Sequence, residues 1–141
     1  MPSPLTSVAI IDDDEVFQML IKKILEKETA MDSILQFSNG FAALLYFRGN
    51  TSNMHRLPLI IFLDLNMPGM TGWQLLTQLD KLQFDQPYKP SVFIISGSEA
   101  IDFERLRSFP LIKGYLTKPI EPAKLINIIH AEVKNNEDGS E

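Results

Sequence analysis

Asp12, Asp13 and Asp14 stand in a row, Asp64 closes an apolar run, Ser96 and Ser98 follow another, and Lys118 sits within Thr117-Lys118-Pro119. Carboxylates gathered in one place repel each other, and a cation relieves the repulsion. Oxygen ligands without His or Cys suit a hard ion such as Mg²⁺. A lysine beside them is well placed to neutralise a phosphoryl oxygen. Each residue alone has a plainer explanation. A run of acids is often a solvated turn whose last member caps a helix. A serine is more often a turn residue than a ligand, and a lysine more often a solvated charge. Asp64 is harder to dismiss, because it ends a fully apolar run, where burying a carboxylate is costly. What these residues can do together depends on the elements that carry them.

The hydrophobic period changes repeatedly along the chain. Val8 to Ile11 is a short apolar run closed by the three acids. From 15 to 28 apolar residues recur at helical spacing, Val16, Leu20 and Ile24 with Phe17, Ile21 and Leu25 beside them. Ser33 to Phe37 reads as a second strand, and Asn39-Gly40 precedes a helix carrying Phe41, Leu44, Leu45 and Phe47. Leu59 to Leu63 is apolar at every position, as in a parallel strand covered on both faces. The turn formers of 66–72 follow, then a helix marked by Leu75, Leu76, Leu79 and Leu82. Ser91 to Ile95, a helix over 100–109, and a strand from Leu111 to Leu116 come next. Glu121-Pro122 opens the last helix, with Leu125, Ile126, Ile129 and Val133 inward. Five strands alternating with five helices predict an α/β fold, a doubly wound parallel sheet with right-handed crossovers. In such sheets ligands sit outside the carboxyl ends of the strands. Asp12, Asp13, Asp14, Asp64, Ser96, Ser98 and Lys118 all fall at those ends, and their joint placement outweighs the plainer explanations.

Size and composition bound the rest. The chain has 141 residues, 45% hydrophobic, enough for one domain with its own core. Without cysteine there is no disulfide, thiolate zinc site or cysteine catalysis. A net charge of −5 argues against a nucleic-acid-binding surface. Met1 to Thr6 lacks the apolar stretch of an export signal, and no apolar run is long enough for a bilayer. These features predict a cytoplasmic protein with no membrane partner. Expected boundaries are an N-terminal extension over 1–6, a domain over 7–135 and an acidic, disordered tail over 136–141. His55 and His130 have no acid-rich motif around them and are expected to be exposed bystanders.

Ile10-Ile11-Asp12-Asp13-Asp14, Phe62-Leu63-Asp64-Leu65-Asn66-Met67-Pro68-Gly69-Met70-Thr71-Gly72, Ile95-Ser96-Gly97 and Gly114-Tyr115-Leu116-Thr117-Lys118-Pro119 together resemble the receiver domain of two-component response regulators. The resemblance runs from about Ser7 to about Asn135 and includes motif order and spacing; with nothing attached, the chain looks like the stand-alone, chemotaxis-type form. It implies a flavodoxin-like (βα)5 fold with strand order 2-1-3-4-5. It also implies that Asp64 accepts a phosphoryl group from a sensor histidine kinase or a histidine phosphotransfer protein. Asp13 would bind Mg²⁺ directly, Asp12 mainly through water, and the Asn66 backbone carbonyl would add a ligand. Ser96 would hydrogen-bond the phosphoryl group and Lys118 would pair with it. Tyr115 matches an aromatic switch position coupled to the Ser96 loop, and Pro119 would follow a cis peptide bond. Departures are few: Ser stands at 96 where Thr is commoner, and Thr71 stands where Asp is frequent. Asn66 and Ser98 occupy positions that tune dephosphorylation in the family.

The resemblance further implies a phosphodonor docking near the start of helix one, Asp14 to Ile21. Output would pass through the face of helix four, strand five and helix five, to a protein partner or a second copy of the chain. Ile101, Phe103, Leu106 and Phe109 give that region more apolar groups than one core stripe needs. Two rivals are weaker. A haloacid-dehalogenase-like, Mg²⁺-dependent phosphatase would want Asp two residues after the nucleophile, where Asn66 stands. A non-phosphorylated pseudo-receiver would not be expected to keep Asp12, Asp13, Asp64, Ser96 and Lys118 together.

Overall fold

The structure is a computed structural model, and it describes residues 7–27, 33–97 and 101–138. Its strands are β1 (Ser7–Ile11), β2 (Ser33–Phe37), β3 (Ile60–Asp64), β4 (Ser91–Ser96) and β5 (Ile112–Thr117). Its helices are α1 (Glu15–Glu26), α2 (Gly40–Gly49), α3 (Gly72–Asp80), α4 (Phe103–Arg107) and α5 (Pro122–Asp138), with a 3-10 turn at Met54–Arg56. The strands form one parallel sheet of order β2-β1-β3-β4-β5, the order expected.

Alternation along the buried strands builds two cores. Ala9, Ile11, Ile61, Leu63, Val92 and Ile94 pack with Ala43, Leu44 and Phe47 of α2 and Leu75, Leu76 and Leu79 of α3. Val8, Ile10, Ile60, Phe62, Phe93, Ile95 and Leu116 pack on the other face with Phe17, Ile21 and Leu25 of α1 and Leu125 and Ile129 of α5. Two-sided burial is why β1, β3 and β4 are buried at every position.

Side-chain caps start the helices at the carboxyl edge of the sheet. Asp14 accepts from Phe17 N at 3.1 Å to open α1, and Asn39 accepts from Ala42 N at 2.8 Å to open α2. Thr71 and Gln74 form a reciprocal capping box on α3. Gly72 is required there, since a Cβ would lie 2.6 Å from the Asp64 carbonyl oxygen and 2.9 Å from Leu65 Cα. α3 is thus seated directly on the end of β3.

The helix surfaces depart from the simplest sequence pattern. α1 buries the Phe17-Ile21-Leu25 row and leaves Val16, Met19 and Leu20 exposed. Two adjacent apolar rows gave the right period without its phase. α2 likewise exposes Phe41 and Leu45. α4 begins at Phe103, later than the expected 100, because Asp102 caps it by accepting from Arg105 N at 3.0 Å. α4 is joined to α3 by an aromatic stack: Arg105 lies 4.4 Å over the Trp73 ring, and Phe109 is 5.6 Å from it on tilted planes. At the far end, α5 runs to Asp138, so residues 136–138, expected in the disordered tail, are helical. Extending an anchored helix gains one backbone hydrogen bond per residue without a new nucleus. Residues 1–6 and 139–141, the remainder of the expected extension and tail, lie outside the described residues, as does Ser98.

Candidate functional site

Strand register brings the acids together before any side chain is considered. Ile11 pairs with Leu63, so their successors Asp12 and Asp64 emerge side by side. Asp13 follows in the same turn, and carboxylate oxygens of Asp12, Asp13 and Asp64 lie within 4.8 Å of one another. Asp12 is fully buried, Asp64 is buried and Asp13 is exposed. Asp12 Oδ1 accepts from Asp14 N at 2.8 Å, and Asp64 Oδ1 accepts from Asn66 N at 3.1 Å.

Lys118 closes the pocket from the other side of the sheet. Its backbone N–H donates to the Ser96 carbonyl at 2.8 Å, tying the end of β5 to the end of β4. Its ammonium then reaches Asp12 Oδ2 at 2.8 Å and lies 3.8 Å from Asp14 Oδ2. Its charge also sits 4.5 Å over the Phe17 ring. The Lys118-Pro119 peptide bond is cis, as expected. Ser96 is buried at the end of β4, its hydroxyl 3.5 Å from the Gly97 carbonyl oxygen.

Burial is the main reason the Asp64 carboxyl is pushed up to about 7, and the charges of Asp12 and Asp13 add to it. The Asn66 N–H and the Lys118 ammonium pull the other way. For Lys118, burial alone would lower the affinity for its proton. Contact with Asp12 and the charges of Asp64 and Asp14 outweigh that and hold the ammonium above its ordinary range. Apart from the Lys118 ammonium, no donor reaches the buried Asp12 Oδ2 among the described residues. Three clustered carboxylates with one such oxygen fit a small, hard, oxygen-seeking cation.

The other singled-out residues lie around this pocket or away from it. Asn66 is exposed beside Asp64, and Thr71 is occupied in capping α3. Tyr115 is half exposed on β5, edge-on to the exposed Phe103 ring at 5.5 Å, so it belongs to the α4–β5 surface rather than to the acid pocket. His55 and His130 are exposed. Phe17 under the Lys118 ammonium and Gly72 beneath Asp64 were not singled out from the sequence. Phe17 read only as a core residue, and the glycine only as a turn former.

A family model described as the response regulator receiver domain matches residues 8–130. The transcriptional regulatory protein YvrH of Bacillus subtilis (strain 168) is 26% identical over 136 residues, covering 96% of this chain and 52% of that protein. An uncharacterized 14.6 kDa protein of Leptolyngbya boryana is 26% identical over 123 residues, covering 86% of each. The crystal structure of a two component response regulator from Cytophaga hutchinsonii superposes with a TM-score of 0.74 at 27% identity, covering 93% of this chain and 98% of that one. This chain spans about half the length of YvrH. The sheet order, the motifs at its carboxyl edge and the family match converge: the chain belongs to the receiver domains of two-component response regulators, a family whose general function is signalling by phosphorylation.

Proposed function

We propose that this chain is a cytoplasmic switch in which Asp64 takes a phosphoryl group from the phosphohistidine of a sensor histidine kinase or a histidine phosphotransfer protein, with Mg²⁺ as cofactor. The observation that carries this reading is the buried Asp64 carboxylate, gathered with Asp12 and Asp13 beside the Lys118 ammonium. An Asp64 carboxylate oxygen forms the bond to phosphorus while the phosphorus–nitrogen bond of the donor breaks, and the donor imidazole leaves neutral after taking up a proton. Asp12, Asp13, Asp64 and the Asn66 backbone carbonyl are the groups that would hold the metal. When bound, Mg²⁺ screens the repulsion between phosphoryl oxygens and carboxylates. The Lys118 ammonium favours the ionised form of Asp64 that attack requires, and it would pair with the transferred group. The Ser96 hydroxyl would donate to a phosphoryl oxygen. The chain itself thus catalyses its modification, and a water placed by the same groups would reverse it.

Output passes through the surface made by α4, β5 and α5, where Phe103 and Tyr115 form an exposed aromatic pair. Ser96 and Tyr115 lie on elements joining the pocket to that surface, so a shift of the Ser96 loop would be read by the ring. The occupant is a protein partner or a second copy of the chain, with no role for nucleic acid or membrane. Among the described residues no helix is long and apolar enough to cross a membrane.

Incubation with Mg²⁺ and acetyl phosphate or phosphoramidate tests the reading. A single, hydroxylamine-labile phosphoryl group is expected on the protein, with none on Asp64→Asn. Equal labelling of that variant would remove Asp64 as acceptor. Continuous turnover without an adduct would favour a phosphatase, and neither outcome a pseudo-receiver.

A further inference from the structure

The acid loop is held from behind by a residue outside the sequence motif. Gln18 lies one helical turn beyond Asp14, the cap of α1, and its backbone N–H donates to the Asp14 carbonyl. Helical side chains lean toward the helix N-terminus, so Gln18 points back over the end of β1. Its Nε2 lies 3.1 Å from the Ile10 carbonyl oxygen, 3.0 Å from that of Asp12 and 2.9 Å from that of Phe37. Those three oxygens can only accept, which fixes the orientation of the amide. Gln36 secures the opposite side. Its Nε2 donates at 2.8 Å both to Gln18 Oε1 and to the Gln18 backbone carbonyl.

The effect falls on Asp12. Its carbonyl accepts from Gln18, its N–H donates to Phe37 O at 3.1 Å, and its Oδ1 accepts from Asp14 N. With those three groups engaged, Oδ2 is the atom of Asp12 directed at Lys118 and the pocket. We propose that Gln18, oriented by Gln36, is a positioning residue that fixes the Asp12-Asp13 turn in the geometry needed to bind Mg²⁺. This rests on the metal-binding reading above, and it assigns to that site a residue that touches neither metal nor phosphoryl group.

Calorimetric titration of the full chain with Mg²⁺, alongside thermal melts and amide hydrogen exchange, tests it. Gln18→Met keeps the length of the side chain and removes its donors. It is expected to weaken Mg²⁺ binding roughly ten-fold, the usual scale for residues that orient metal ligands. Exchange at the Asp12 and Asp14 amides is expected to quicken. Gln36→Met should act in the same direction to a smaller extent, and it decides the question alone if Gln18→Met does not fold. Ile129→Val, in the α1–α5 core, should lower the melting temperature without changing Mg²⁺ affinity, separating position from stability. Mg²⁺ affinity within about two-fold of wild type in Gln18→Met, or in Gln36→Met if that variant alone folds, overturns the positioning role and leaves the metal site standing. Failure of the wild-type protein itself to bind Mg²⁺ overturns the metal reading and this inference with it.

Discussion

Burial contributes more than neighbouring charge to the high proton affinity of Asp64, and that has a consequence for stability. The folded protein holds this proton up to about pH 7, whereas an ordinary aspartate loses it near 3.8. Protonation therefore favours the folded state. The contribution of this group is full below about pH 4, declines as pH rises toward 7 and is absent above it. In a chelator the melting temperature should fall between roughly pH 4 and pH 7, and Asp64→Asn should flatten that slope. Millimolar Mg²⁺ should raise the wild-type melting temperature more at the upper pH, because it binds the ionised cluster of the folded state. A wild-type slope no steeper than that of Asp64→Asn would contradict the burial argument. At this scale the sequence showed which residues meet but not how they pair. It linked Lys118 to a phosphoryl group and Asp12 to a metal, whereas the structure joins the two directly. A lysine stem is long and flexible, so the acid it meets is chosen by tertiary distance rather than by sequence spacing.

The junction of β3 and α3 shows how an element holds a residue in place. α3 begins where Gly72 touches the Asp64 carbonyl, so any side chain at 72 must push the helix off the strand. Gly72→Ala should cost roughly 2 kcal/mol by the overpacking route, read as a lower denaturant midpoint with an unchanged slope. An unchanged midpoint would mean that α3 shifts freely on β3. Strands were the most legible elements, because β3 and β4 are apolar along most of their length and leave no choice of face. Helices were less so. Val16 and Leu20 compete with Phe17 and Ile21 for the inward row of α1, and only the shape of the sheet beneath decides. The start of α4 depended on the Asp102 cap, and the end of α5 on how far an anchored helix propagates.

Across the whole molecule, the doubly wound architecture follows from strands that are apolar on both sides and connections that carry α1 and α5 to one face and α2, α3 and α4 to the other. That arrangement collects the ends of β1, β3, β4 and β5 into one edge, and it sets α3 and α4 side by side on one layer. Between those two helices lies Trp73, the single tryptophan of the chain, under the Arg105 guanidinium and beside Phe109. A lone indole in such a sandwich is an optical gauge. Its emission depends on how close the cation and the second ring stand, and both belong to α4 or its immediate continuation. Adding beryllofluoride with Mg²⁺ should change the fluorescence intensity or wavelength if α4 moves relative to α3 when Asp64 is loaded. Arg105→Ala should shift the resting spectrum and shrink that response. A spectrum indifferent to beryllofluoride would mean the two helices keep their stack, and the signal would have to travel without displacing α4.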